Sequence, residues 1–150
     1  MTPPIHIVMM DDEPIHMNYI IKALVSEGFD VDVIDNADDA WTYFDKPRPN
    51  IRAIILDIMM PPAQAFQDED HDEGLRSGVF IYRHILEQLH EHTVTSTGLP
   101  VGILTNVENT LTLTTVDLQR KELWPDHKLR FWEKLGVSPK QFAKEFKAWI

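Results

Sequence analysis

Three carboxylates, a hydroxyl and an ammonium in this 150-residue chain stand at or just behind the ends of short aliphatic runs. Asp11 and Asp12 follow residues 5–10, Asp57 follows 51–56, Thr105 closes 101–104, and Lys134 comes just after 129–132. Clustered carboxylates repel one another, and a divalent cation relieves that repulsion. Oxygen donors with access to water suit Mg2+, which keeps several waters and takes one or two carboxylates plus a phosphate. A carboxylate placed there can attack phosphorus to give an acyl phosphate. The transferring group spreads negative charge over its equatorial oxygens, so a nearby ammonium and hydroxyl are the donors such chemistry needs.

That chemistry requires the five residues to meet, and the surrounding pattern supplies a way. Residues 5–10 form an apolar run broken only by His6, as expected of a strand buried on both faces. Pro14 sits where a helix can start, and Ile15, Tyr19 or Ile20, and Leu24 follow at helical spacing up to Gly28. Residues 29–34 alternate with Asp30 and Asp32, which suggests a strand nearer the sheet edge. Asn36 or Asp38 can cap a second helix carrying Ala40, Trp41 and Phe44. Residues 51–56 read as the most plainly buried strand. A third helix is expected from about Gly78 to Leu89 and a fourth strand over 101–104.

The stretch from about Glu108 to Leu123 is rich in threonine, a poor helix former, yet Leu111, Val116 and Leu118 keep a loose periodicity. Residues 129–132 form a fifth strand. Ser138-Pro139 then gives a cap and first turn for a helix with Phe142, Phe146 and Trp149 on one side. Strands alternating with helices predict an α/β doubly wound parallel sheet with right-handed crossovers, formed by residues 1–150 as one domain. In an open parallel sheet, side chains just past the carboxyl ends of the strands converge on one edge. Residues 61–77 fall outside the alternation. They hold Asp68, Glu69, Asp70, His71, Asp72 and Glu73 in a row and are expected to form an exposed acidic loop.

Four motifs now stand in order: Met9-Met10-Asp11-Asp12-Glu13-Pro14, Leu56-Asp57-Ile58-Met59-Met60-Pro61, Leu104-Thr105-Asn106 and Phe131-Trp132-Glu133-Lys134. Together they resemble the receiver domains of two-component response regulators over nearly the whole chain. The resemblance implies a flavodoxin-like sheet in the order 2-1-3-4-5. It implies Asp57 as phosphoacceptor, fed by a histidine kinase or a histidine phosphotransfer protein. Mg2+ would be bound directly by Asp12, largely through water by Asp11, and also by Asp57 and the backbone carbonyl of Met59. Lys134 would pair with the phosphoryl oxygens and Thr105 would swing in to hydrogen-bond them. Phe131 matches the aromatic that turns inward with that threonine. The coupled motion would bias the surface of the fourth helix, fifth strand and fifth helix.

Three departures accompany the resemblance. Leu135 follows Lys134 where the family commonly has proline, and about ten extra residues precede Gly78, the match to the glycine that opens the third helix. Met59 and Val107 are apolar at the two variable positions flanking the site, which predicts a hindered attacking water and a longer-lived phosphoryl group.

Composition bounds the alternatives. A hydrophobic fraction of 43% provides a core, and the lack of cysteine removes disulfides and thiolate chemistry. The formal charge of −10 disfavours nucleic acid, and the lysines and arginines toward the C-terminus are mixed with acids and read as solvated surface. No run approaches the roughly 18 apolar residues of a membrane span. With no export signal at the N-terminus, a cytoplasmic protein is expected. The chain ends just after the fifth helix, so a receiver without an attached output module is expected, signalling by contact or passing phosphate on to a histidine phosphotransfer protein, with a receiver excised from a longer protein as the alternative. Trp132 and Trp149 are candidates for a symmetric homodimer contact; His84, His90 and His92 read as surface.

Each site residue also has a structural reading. Asp57 could cap a turn, Asp12 the first helix, and Lys134 could be solvated. Two further functions compete: a pseudo-receiver that binds partners without phosphorylation, and a phosphatase of the haloacid-dehalogenase type. The full set of acids, Thr105 and Lys134 argues against the former. Met59, where the phosphatase class places a second acid, argues against the latter.

Overall fold

The computed structural model describes residues 2–11, 14–45, 50–57, 77–92, 98–105 and 110–150. Strands and helices alternate throughout them: β1 (Ile5–Met10), α1 (Pro14–Ser26), β2 (Phe29–Ile34), α2 (Ala37–Phe44), β3 (Ala53–Leu56), α3 (Ser77–His92), β4 (Val101–Thr105), α4 (Thr110–Leu123), β5 (Leu129–Glu133) and α5 (Pro139–Trp149). The five strands are all parallel, in the order β2-β1-β3-β4-β5, as the sequence reading expects. Local chemistry sets several boundaries. Asn36 Oδ1 accepts from the Asp39 amide at 2.8 Å to open α2, and Ser138 Oγ accepts from the Gln141 amide at 3.1 Å to open α5.

Strand alternation sorts the apolar side chains to two faces. Val8, Met10, Ile54, Leu56 and Ile103 pack with residues of α2, α3 and α4. Ile7, Met9, Ala53, Ile55 and Leu104 pack with residues of α1 and α5. Helices on both faces explain why β1 and β3 read as continuous apolar runs. Gly102 in β4 has a packing reason, because a Cβ there would come within 3.0 Å of both the Phe146 and Trp132 rings.

Two sequence expectations change. His84 is buried at 5% exposure, where a surface position was expected. Its ring stacks on Trp41 at 3.8 Å, and Nε2 lies 2.9 Å from Asp45 Oδ1, so it joins α3 to α2. Trp132 is buried against Phe142, Phe146 and Trp149, which removes it as a contact between copies of the chain. The His90 and His92 side chains, and the acidic stretch 61–76, lie outside the described residues. Among the described residues no helix is long and apolar enough to cross a membrane.

A second histidine is buried at the other end of the sheet. His127, just before β5, lies 2.8 Å from the Tyr82 hydroxyl through Nδ1 and 2.7 Å from the Leu99 carbonyl through Nε2. A carbonyl only accepts, so Nε2 carries the proton and Nδ1 accepts from Tyr82. Burial is the main force holding the His127 pKa down to about 4, opposed by the hydrogen bond to Leu99 and aided by the Arg120 charge. Burial likewise raises the Tyr82 phenol above its ordinary range. Below the ordinary histidine range the unfolded chain therefore takes up a proton that the folded chain resists. We predict that the stability carried by neutral His127 is complete above pH ~6.5 and falls by up to about 3 kcal/mol as the pH drops toward ~4. Urea unfolding across that range checks this; His127→Gln should remove that part of the slope.

Candidate functional site

Sheet order brings the site together. β1 and β3 are neighbours with Met10 opposite Leu56, so the residues that follow them, Asp11 and Asp57, emerge side by side. The ladder continues through both: the Asp57 amide donates to the Met10 carbonyl at 2.9 Å, and the Asp11 amide to the Ile34 carbonyl at 3.1 Å. These bonds fix the two backbones, and hence the roots of the carboxylates. β4 lies against β3 and ends in Thr105; β5 lies against β4, with Glu133 opposite Thr105 and Lys134 next along the chain.

The four side chains make one buried ionic cluster. Lys134 Nζ is 2.6 Å from Asp11 Oδ2 and 2.9 Å from Asp57 Oδ2. Thr105 Oγ1 donates to the other Asp57 oxygen, Oδ1, at 2.8 Å. Asp11 and Asp57 are each 1% exposed, Thr105 is 3% exposed, and so is the Lys134 side chain. Two carboxylates taken out of water side by side would be strongly unfavourable without a cation, and the ammonium between them compensates. Burial alone would lower the Lys134 pKa, but the Asp57 charge, the hydrogen bonds to Asp11 and Asp57 and the Asp11 charge outweigh it, so the net shift is upward. Lys134 therefore stays charged at and well above neutral pH, and opens the 3-10 turn Lys134–Gly136, in which Leu135 is exposed.

Other sequence-expected residues stand as follows. Phe131 is partly buried against the core on the α3–α4 side of the sheet. Asp12, Met59 and Val107 lie outside the described residues. Among the described residues no group of three or more His, Cys, Asp or Glu side chains could hold a metal ion. Asp11 and Asp57 offer hard carboxylate oxygens side by side, a donor type that suits Mg2+, with Asp12 as the further acid of the sequence motif. A small cleft of about 100 Å3 opens beside Lys134, lined by Tyr19 and Ile20 of α1, Leu104, and Val137, Pro139 and Phe142 at the start of α5. The sequence reading did not foresee this cleft, since its lining residues carry the ordinary helix and strand periodicity of a core.

We predict that Lys134→Met lowers stability at pH 7 by about 3 kcal/mol, because it leaves two adjacent buried carboxylates uncompensated. Asp11→Asn in that background should recover much of the loss. Chemical denaturation of the two single variants and the double variant measures the coupling.

No protein-family model matches the chain. In sequence it is 38% identical over 64 residues to the transcriptional regulatory protein TrcR of Mycobacterium tuberculosis, a match covering 43% of this chain and 24% of TrcR. It is 37% identical over 68 residues to the response regulator Rre1 of Synechocystis, covering 45% of this chain and 29% of Rre1. The matches thus span about a quarter of the length of these curated relatives. In structure it resembles a response regulator receiver domain from Clostridium thermocellum, with TM-score 0.67, 19% identity and coverage of 96% of this chain and 92% of that one. It also resembles a chain from the complex between the Saccharomyces cerevisiae histidine phosphotransfer protein Ypd1 and the receiver domain of Ssk1. The TM-score there is 0.68, at 13% identity, covering 99% and 90% of the two chains.

Proposed function

We propose that this chain, whose fold is that of the response-regulator receiver domains, is a phosphorylation-dependent signalling switch with Asp57 as its phosphoacceptor. The observation that carries the reading is the placement of Asp57. One oxygen is hydrogen-bonded by the Thr105 hydroxyl and the other is paired with the Lys134 ammonium, with a second carboxylate on that same lysine. A carboxylate flanked by a hydroxyl donor and a cation is equipped to become an acyl phosphate whose new charge is already provided for.

In the proposed reaction an Asp57 oxygen attacks the phosphorus of a phosphohistidine on a histidine kinase or histidine phosphotransfer protein. The new O–P bond forms as the P–N bond breaks, and the bonding pair leaves with the imidazole nitrogen. Lys134 then neutralises phosphoryl charge and the Thr105 hydroxyl donates to a phosphoryl oxygen. Asp11, Asp12, Asp57 and the Met59 carbonyl would hold Mg2+, which supplies positive charge to the transferring group. A histidine phosphotransfer protein as partner has support from the fold likeness to a chain of the Ypd1–Ssk1 complex. Phe131, three residues before Lys134 and partly buried, is the proposed partner of Thr105 in transmitting the change to α4, β5 and α5. The output is contact with a downstream protein in the cytoplasm, and the acidic stretch 61–77, which follows Asp57 closely in the sequence, would shield the phosphoryl group or select the kinase.

Incubation with Mg2+ and acetyl phosphate, read by intact mass, tests this reading. We predict the gain of one phosphoryl group, abolished by Asp57→Asn and by chelation of the metal. Unchanged mass with every phosphoryl donor would overturn it in favour of a binding module that is not phosphorylated.

A further inference from the structure

Charge is shared unevenly between the two sides of the sheet. In a chain of formal charge −10, α1 contains no acid and α5 only Glu145, while the two helices together carry Lys22, Lys140, Lys144 and Lys147. Several cations elsewhere have carboxylate partners: Arg83 with Glu87, Arg120 and Lys121 with Asp117, and Arg130 with Glu145, which takes up the acid of α5. Lys22, Lys140 and Lys144 are exposed and have no carboxylate partner among the described residues.

Exposed apolar surface lies on the same side. Along α1, Tyr19 at 65% and Val25 at 55% exposure flank Lys22 at intervals of three residues. Along α5, Lys140, Lys144 and Lys147 stand at i, i+4 and i+7, one face of the helix. The two helices run side by side. Lys147 Nζ donates to the Glu27 carbonyl at 2.6 Å, just beyond the end of α1, and the cleft beside Lys134 opens between Tyr19 and Ile20 on one side and Pro139 and Phe142 on the other. An apolar opening is thus bordered by cations that no carboxylate of the described chain neutralises.

We propose that the α1–α5 face is a docking surface for an acidic amphipathic helix of a partner protein. One apolar side chain of that helix enters the cleft, and its carboxylates lie over Lys22, Lys140 and Lys144. An apolar centre with a charged rim is the anatomy of a helix-binding surface, and the rim charge sets the sign of the partner. A nucleic acid or an anionic lipid surface would be repelled by the net charge of the whole chain and offers no projecting side chain for the cleft. A second copy in two-fold contact would set this basic face against itself. The proposal goes beyond the phosphorylation reading and does not rest on it.

The test uses the full, unphosphorylated chain, titrated with a synthetic helical peptide of about 16 residues and followed by amide NMR shifts. The peptide carries leucines at i, i+3, i+4 and i+7 with glutamates beside them. Shifts should gather at residues 18–26 and 137–148 and saturate with a Kd below about 1 mM. Lys22→Glu, Lys140→Glu and Lys144→Glu combined should weaken binding by about tenfold or more, and Tyr19→Ala by about threefold or more. These positions are exposed, and unchanged β1 and β3 amides will report that the fold is kept. Lack of saturation, shifts centred on other elements, or unchanged affinity in the triple variant would overturn the proposal. So would equal binding of a peptide with lysine in place of every glutamate. Concentration-dependent shifts on this face without peptide would assign it to a second copy. Co-sedimentation with phosphatidylcholine vesicles holding about 30% phosphatidylserine would assign it to a lipid surface. Either result also overturns the proposal.

Discussion

Lys134 stands between Asp11 and Asp57, and the arrangement of this end of the molecule answers to that contact. Two carboxylates at 1% exposure cannot remain ionised beside each other without a cation, and the fold brings one 77 positions along the chain from Asp57. The placement depends on β5 lying beside β4, on the ladder that continues past β1 and β3, and on the 3-10 turn that begins at the lysine. A slip of one residue in β3 would move Asp57 to a different position and turn its apolar side chains to the wrong faces. The two apolar clusters therefore act as register keys for the ionic cluster.

Opposite ends of the same sheet carry opposite kinds of polar group. At the carboxyl ends of the strands the polar side chains are ionic and held by mutual charge. Where β4 and β5 begin, the buried polar pair is Tyr82 and His127, a neutral network whose parts are all satisfied. The ionic end can exchange partners when charge is added, because its energy lies in electrostatics that a new anion or cation redirects. The neutral end resists change, because protonating its histidine or stripping its phenol leaves a buried group uncompensated.

The residues that order the acidic cluster were legible as strand-end positions. Apolar runs bounded by Asp11, Asp57, Thr105 and Lys134 have the period and length of buried parallel strands, and the doubly wound reading places such ends on one edge. Asn36 and Ser138-Pro139 announced their helices because capping is local chemistry. His84 was misread as surface because its neighbour in space, Trp41, lies 43 residues away on α2, and a histidine between apolar helix positions carries no mark of that stacking partner. Trp132 was misread for the same kind of reason: four aromatic residues from β5 and α5 assemble around one another only once the helix crosses the sheet.

By itself the sequence determined the alternation of elements, their caps, and the set of polar residues able to reach one edge, because those follow from short-range periodicity and from the conformational preferences of single residues. Tertiary structure decided which oxygen meets which donor. Lys134 bridges Asp11 and Asp57, Thr105 takes the remaining Asp57 oxygen, and His127 turns inward to Tyr82. These pairings join residues far apart in the chain, so they exist only where strand order and register have already set the distances.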